Sequence, residues 1–357
     1  MGKSATPRRQ RTQEIVAFSS MNNIIENDCR KIIQTFDFEK LRNKRILITG
    51  ASGFLGWYIL NALALANREL ELNCSIQATG LSRPRPNLAQ LLKRDKKISY
   101  RKIDLTKSFR LAGYDYIFHA AGYGQPARFI NDPLSVVKIN TEAVARLIEA
   151  SPKATFVFFS SAEIYGEIPP KLLPVKEEYY GNSPLHNPRS VYAEAKRLGE
   201  ALVATYHRKL QTPFKIVRIS HVYGPGLPPT DTRVMSEFIA KALKTKKIEL
   251  LDEGKAIKTY GYIADVVTMI LFAAIHGQEM VYNVGGKDSL SILELAQKIS
   301  KHFANQVEVA TTRSKLAHIG KDPGIVKLNL TRITSEMKNF KFTPFAQGLA
   351  KTIAWTE

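Results

Sequence analysis

Three observations predict an α/β chain built on a doubly wound parallel sheet. A strand-like run at Lys44–Thr49 passes straight into a glycine-rich turn, Gly50–Gly56, and then into an apolar helical stretch, the order that opens a βαβ unit. Short apolar runs then recur with helical stretches between them, which is how a parallel sheet with helices on both faces is written in sequence. Finally, 357 residues at 44% hydrophobic and 24% charged content are enough for a full core and exclude a disordered, fibrous or disulfide-stapled chain.

Taken in order, the pattern predicts a short helix over 22–36, a strand at 44–49 and a helix from Trp57 to about Asn67. Further strands are expected at Ser75–Leu81, Ile98–Ile103, Tyr116–Ala121, Thr155–Ser160 and Phe214–Ile219, with helices at Leu134–Ala150 and Tyr192–Leu210 among them. Pro- and Gly-bearing stretches at Glu167–Pro188 and Tyr223–Thr232 interrupt the alternation, and helical patterns return at Val234–Leu243 and Leu290–Phe303. These later segments read as a smaller lobe.

The net charge of +20 is the unusual number. Lys3, Arg8, Arg9 and Arg11 against Glu14 supply little of it, so the excess is spread along the chain. That favours an anionic small substrate over a specific nucleic-acid partner. The opening Met1–Thr6 fits a loose acylation pattern, Met21 is an alternative start, and no apolar h-region of a signal peptide follows the basic residues. Cys29 and Cys74 form no CxxC pair and have no clustered His, so no metal site is expected and the thiols suit a reducing compartment. No apolar run reaches a membrane span, and a cytoplasmic location is the expectation.

The turn Gly50, Ser52, Gly53, Phe54, Leu55, Gly56 carries the first chemistry. Its glycines permit a tight bend and a close backbone approach, and the helix that follows offers N–H groups to a pyrophosphate. The next strand ends in Gln77–Arg83 with no carboxylate to hold a ribose hydroxyl and with Arg83 in its place, so NADP stands as the alternative to NAD. Asp104 is placed to accept a bond from the adenine amino group, or to cap its own turn. The second constellation is Tyr192 and Lys196, four residues apart and therefore on one helix face. A neighbouring ammonium is expected to stabilise the phenolate, letting Tyr192 take an alcohol proton nearer neutral pH than its reference value of about 10. Ser161, at a strand end upstream, can bond the same alcohol, and Glu163 can serve as a second acid or base.

Together these residues resemble the extended short-chain dehydrogenase/reductase superfamily, in particular its NAD-dependent nucleotide-sugar epimerases, dehydratases and decarboxylases, over about residues 44–355. The resemblance rests on Thr49–Gly56, Asp104-Leu105, His119–Gly122, Asn140, Ser160–Gly166, Tyr192 with Lys196, Arg218–Pro225, Tyr262–Asp265 and Tyr282–Gly285. Glu178–Asn182 followed by Asn187–Tyr192 looks most like UDP-glucuronate decarboxylases. It implies a Rossmann-type sheet with a C-terminal substrate lobe: a basic extension at 1–20, a helical segment at 21–43, the cofactor domain at 44–222 with an insertion at 167–188, and a lobe at 223–357 from which 258–275 returns to the cofactor domain. It adds Leu105, Ala120, Ala121, Gly122 and Asn140 to the cofactor contacts, and Asn182, His221, Arg233 and Lys258 to the substrate contacts. A nucleoside-diphosphate sugar as substrate and a homodimer through the Leu134–Ala150 and Tyr192–Leu210 helices are also implied.

The resemblance implies oxidation of a hexose C4 hydroxyl by Tyr192, Lys196 and Ser161, followed by decarboxylation, dehydration or epimerisation. Glu163 matches a glutamate of the dehydratases and decarboxylases, which favours a lyase over a 4-epimerase. Ala162 stands where dehydratases carry Asp, Lys258 where decarboxylases carry Arg, and His221 where Asn is usual. A non-catalytic NAD(P) sensor is the reading of another class, and the retained Ser161, Tyr192 and Lys196 argue against it.

Overall fold

The computed structural model describes residues 23–227, 231–306, 308–311 and 324–356, so the expected extension at 1–20 lies outside the described residues. Residues 23–35 form helix α1. Strand β1 (Arg45–Thr49) is buried from Ile46 onward, and α2 (Phe54–Glu69) starts directly at its Gly53 cap, earlier than the apolar pattern alone suggests, because the glycine turn is itself the helix entry. The alternation continues through β2 (Ser75–Gly80), α3 (Pro86–Arg94), β3 (Ile98–Lys102), β4 (Tyr116–His119), α4 (Pro126–Asn131), α5 (Pro133–Asn140), α6 (Glu142–Ala150), β5 (Thr155–Ser161), α7 (Ser190–Leu210) and β6 (Phe214–Ile219).

The expected helix at Leu134–Ala150 is thus two helices. Thr141 leaves the helical region at φ -123 and ψ -76, and its hydroxyl donates back to the Val137 carbonyl at 2.8 Å, a bond that bends helices. Pro86, at the first turn of α3, sets φ where no N–H is needed, and so starts a helix that its Pro- and Arg-rich approach conceals.

The main sheet has seven strands in the order β10-β6-β5-β4-β1-β2-β3, all parallel. Its edge strand β10 (Val281–Val284) comes from late in the chain. Strand order reverses between β1 and β4, and in open α/β sheets ligands bind in the crevice at the carboxyl ends of such a pair. A second sheet joins β7 (His221–Tyr223), β9 (Ile257–Tyr262), β11 (Asp288–Ser291) and β13 (Ile325–Val326), while β8 (Lys247–Leu250) pairs with β12 (Glu308–Thr311). Helices α8 (Val234–Thr245), α9 (Ile263–Ile275), α10 (Ile292–His302), α11 (Thr331–Glu336) and α12 (Phe345–Thr356) complete the chain. Of the stretch 258–275, β9 belongs to the second sheet, whereas the fully buried α9 packs on α2 and β6 of the first.

Buried Asp28 locks α1 onto this frame. It accepts the Tyr58 hydroxyl at 2.8 Å and the Tyr262 hydroxyl, and pairs with Lys351 at 2.5 Å, so α1, α2, β9 and α12 meet at one carboxylate. Cys29 and Cys74 are both buried free thiols, and burial pushes the Cys74 thiol up to about 11.

Candidate active site

At the carboxyl end of β1, Gly50 has φ +68, and a Cβ there would lie 2.7 Å from the Ala121 Cα and N. A Cβ on Gly56 would lie 2.5 Å from the Gly50 carbonyl oxygen. The turn is therefore pressed between the start of α2 and the Ala120–Gly122 exit of β4, and only glycine fits. Gly53 caps α2 without a side-chain bond, which leaves first-turn N–H groups to an anion. Phe54 and Leu55 pack on the core, and Ser52, Gly53, Arg85, Asn87 and Gly226 line a small cavity beside the turn. The Thr79 hydroxyl near the end of β2 is buried without a partner, and Arg83 is exposed just beyond it. Asp104 uses Oδ1 to accept from the Thr106 N–H at 3.0 Å and hydroxyl at 2.7 Å, bonds that draw its carboxyl below the usual range. It is a turn cap first, with Oδ2 beyond it, and Leu105 is buried in the core.

Behind this turn, the buried His119 links β4 to β1 and α5. Its Nδ1 lies 2.9 Å from the Thr49 hydroxyl and its Nε2 3.0 Å from the Ile139 carbonyl; since a carbonyl only accepts, Nε2 carries the hydrogen. Burial, then the Lys196 charge, push the imidazole down to about 3. Asn140 donates to the Val136 carbonyl at 2.8 Å, while its Oδ1 is buried without a partner.

Tyr192 and Lys196 share one face of α7. The Lys196 ammonium donates to the Phe159 carbonyl at 2.5 Å and lies 5.9 Å from the Tyr192 ring centroid. Burial pushes this lysine down to about 7. The expected lowering of Tyr192 is corrected here: burial outweighs the Ser161 hydrogen bond that opposes it and raises the phenol to about 12. The Tyr192 ring stacks on Phe129 of α4, centroids 4.7 Å apart and planes at 14°.

Ser161 ends β5, and its hydroxyl accepts the Glu163 N–H at 3.2 Å, starting the short 3₁₀ turn that carries Glu163. Glu163 Oε1 accepts from Arg189 Nη2 at 2.8 Å, and the two side chains are only 18% and 11% exposed. Oε2 has no partner among the described residues. The Arg189 guanidinium stands 5.7 Å over the Phe129 ring. The charges of Glu163, Arg189 and Arg233 all bear on the Tyr192 phenol.

The expected substrate contacts are spread more widely. Arg233 caps α8 and wraps Asp231, its Nε 3.0 Å from Oδ1 and its Nη2 2.7 Å from Oδ2. The Asn182 side chain accepts the Glu167 N–H at 3.1 Å and braces the Gly166 turn, where a Cβ would overlap the Asn182 carbonyl. His221 is half-buried beside Tyr260, centroids 5.9 Å apart, and Lys258 is buried in β9. The site gathers Ser161, Glu163, Tyr192, Lys196 and Arg233; Asn182 serves a turn.

The sequence profile of the NAD dependent epimerase/dehydratase family matches residues 46–285, a span that holds every group just described. The chain belongs to that family. It is 28% identical over 269 residues to UDP-glucuronic acid decarboxylase 6 of Arabidopsis thaliana, covering 75% of this chain and 76% of that protein. It is 25% identical over 312 residues to UDP-glucuronic acid decarboxylase 1 of Xenopus tropicalis, covering 87% and 71%. In fold it is similar to a UDP-N-acetylglucosamine 4-epimerase from Methanobrevibacter ruminantium, solved in complex with UDP-N-acetylmuramic acid, at a TM-score of 0.74 and 21% identity over 88% of this chain and 98% of that one.

As a member of an NAD-dependent family, the enzyme needs a dinucleotide cradle, and its residues fit one. The glycine turn leaves no room for a Cβ, α2 opens uncapped, and the Thr79 hydroxyl and Asn140 Oδ1 are buried acceptors without partners. What motif reading missed is the sandwich that frames Tyr192: Phe129 on its face and Arg189 over Phe129. Arg189 lies three residues before Tyr192, inside the stretch that resembles the decarboxylases, and that spacing was the available signal.

Proposed function

We propose that this family member is a nucleotide-sugar lyase that oxidises C4 of a UDP-hexuronate and releases its C6 carboxylate as CO2. Glu163, held by Arg189 against the Ser161, Tyr192 and Lys196 group, is the observation that carries this reading, because a simple 4-epimerisation has no use for a carboxylate at that place. The likeness to UDP-glucuronic acid decarboxylases over three quarters of the chain supports the choice of sugar. NAD, when bound, would accept the hydride from C4, give it back to C4 once CO2 has left, and bring a positive ring that favours the Tyr192 phenolate.

Tyr192 takes the O4 proton while the Ser161 hydroxyl bonds the same oxygen. The resulting ketone stands β to the carboxylate, so the C5–C6 bond breaks and its electron pair passes through C5 and C4 to O4. Ser161 and the protonated phenol stabilise that oxyanion. C5 then takes up a proton from solvent beside Glu163, whose open Oε2 can hold the delivering water, and Tyr192 returns its proton to O4 as the pentose forms. Lys196 fixes the end of β5 through the Phe159 carbonyl and keeps the phenol in place. The reading carries a homodimer through α5, α6 and α7, where Leu134 and Leu198 are exposed, and a cytoplasmic setting; no helix among the described residues is long and apolar enough to cross a membrane.

The test is mass spectrometry of products from purified protein with NAD, and separately NADP, against UDP-glucuronate and a panel of UDP-, dTDP-, CDP- and GDP-hexoses. Loss of CO2 from UDP-glucuronate is the expected result. Loss of water would make the protein a dehydratase, and unchanged mass with altered chromatography an epimerase. No change with any sugar would favour the sensor.

A further inference from the structure

Lys196 lies 5.9 Å from the Tyr192 ring centroid, and the charges of Arg189 and Arg233 bear on its phenol. Lys196 is spent on the Phe159 carbonyl. Arg233 lays Nε and Nη2 across both oxygens of buried Asp231. Arg189 pairs instead with Glu163, which bears electrostatically on Tyr192, is bonded through Oε1 and has no partner for Oε2 among the described residues. The Arg189 side chain is also only 11% exposed and places the guanidinium over the Phe129 ring that stacks on Tyr192.

We propose that Arg189 is the specificity-determining residue through which this site accepts an anionic sugar, taking the substrate carboxylate beside Glu163. The inference rests on the nucleotide-sugar reading above and names the charge of the sugar. A sugar carboxylate brought next to Glu163 would set two anions together where little water screens them, a strongly unfavourable contact. A planar guanidinium between them removes that repulsion and matches carboxylate geometry in a way lysine does not. Glu163 and the sugar carboxylate must then share one guanidinium, which predicts opposite effects for two substitutions. Removing Arg189 weakens binding of the acidic sugar, whereas neutralising Glu163 frees Arg189 and strengthens it.

The experiment is calorimetric titration of the full-length protein loaded with NAD, in a Tyr192→Phe background that stops turnover, with UDP-glucuronate and with UDP-glucose. Arg189→Gln is expected to weaken UDP-glucuronate about 30-fold, the loss of one charge-assisted contact, while UDP-glucose changes far less. Arg189→Lys recovers part of that loss, and Glu163→Gln tightens UDP-glucuronate about 5-fold without tightening UDP-glucose. Equal weakening of both sugars would make Arg189 merely structural and overturn the proposal, as would an unchanged preference or no binding of the acidic sugar. If Arg189→Gln does not fold, the Arg189→Lys and Glu163→Gln pair decides alone, since their predicted signs are opposite. An Arg189-dependent preference in a protein that releases no CO2 would sustain the inference and sink decarboxylation; CO2 release with Arg189-independent affinity would do the reverse.

Discussion

Two largely buried arginine–glutamate pairs lie beside strand β5, and they are bonded to different degrees of completeness. Arg218–Glu200 and Arg189–Glu163 are alike in burial, at 11% and 10% exposed for the first and 11% and 18% for the second. Their surroundings differ. Arg218 gives Nε and Nη2 to the two Glu200 oxygens at 3.1 and 2.7 Å, and Nη1 to the Tyr165 hydroxyl oxygen and the Glu177 carbonyl at 3.1 and 2.7 Å. Glu200 also accepts the Ser160 hydroxyl at 2.5 Å, and Tyr165 donates onward to Asn283 Oδ1 at 2.6 Å. The first pair is a closed network, whereas Glu163 in the second keeps an oxygen in hand. Burial alone therefore does not distinguish the two pairs; the completeness of the hydrogen bonding does.

The largest expected effect belongs to the closed network. Arg218→Met leaves the Glu200 charge buried and uncompensated, and should cost about 3–5 kcal/mol of unfolding free energy in urea titration. Glu163→Gln, by contrast, should cost about 1 kcal/mol or less, since its open oxygen already tolerates incomplete pairing. If the two substitutions destabilise equally, the contrast between frame and chemistry collapses.

In activity the order reverses. Glu163→Gln should slow CO2 release from UDP-glucuronate about 100-fold or more, the usual range for a positioned acid–base group, while still allowing C4 oxidation to be seen as reduced cofactor. Tyr192→Phe should stop both and leave cofactor binding intact. Reduced cofactor accumulating in Tyr192→Phe would remove Tyr192 as the base, and unimpaired CO2 release in Glu163→Gln would make that residue part of the frame.

How much of this was legible in the sequence follows from the range of the contacts. The glycine turn and the Tyr192–Lys196 pair are set by local spacing, and Ser161 with Glu163 lies two residues apart at a strand end, so their placement in the fold was legible from spacing alone. Arg189 meets a carboxylate 26 positions away, and Phe129 reaches Tyr192 from another helix; only the tertiary packing brings them together. Asp28 likewise draws its partners from positions 58, 262 and 351. The expectation that Lys196 would lower the Tyr192 pKa failed for a physical reason: spacing fixes which face two side chains share, but burial fixes which charge state survives there.

That burial gives the smallest expected effect, and it tests where the closed network touches the chemistry. Glu200 lies one turn beyond Lys196 on α7, and its charge supports the ammonium, yet burial wins and holds the lysine near 7 against a usual value near 10.5. In the cofactor-free protein the unfolded chain therefore keeps this proton between about pH 7 and 10 while the folded one has released it, so this group makes stability rise with pH across that window. Lys196→Met removes the titration but keeps the packing. The variant should gain most over the parent at pH 6, and the gap should close by about 2 kcal/mol between pH 7 and 9, read from urea titrations at each pH. A gap that stays constant would mean that Glu200 holds the ammonium charged, which would join the closed network directly to the Tyr192–Lys196 pair and blur the distinction between the two arginine–glutamate pairs.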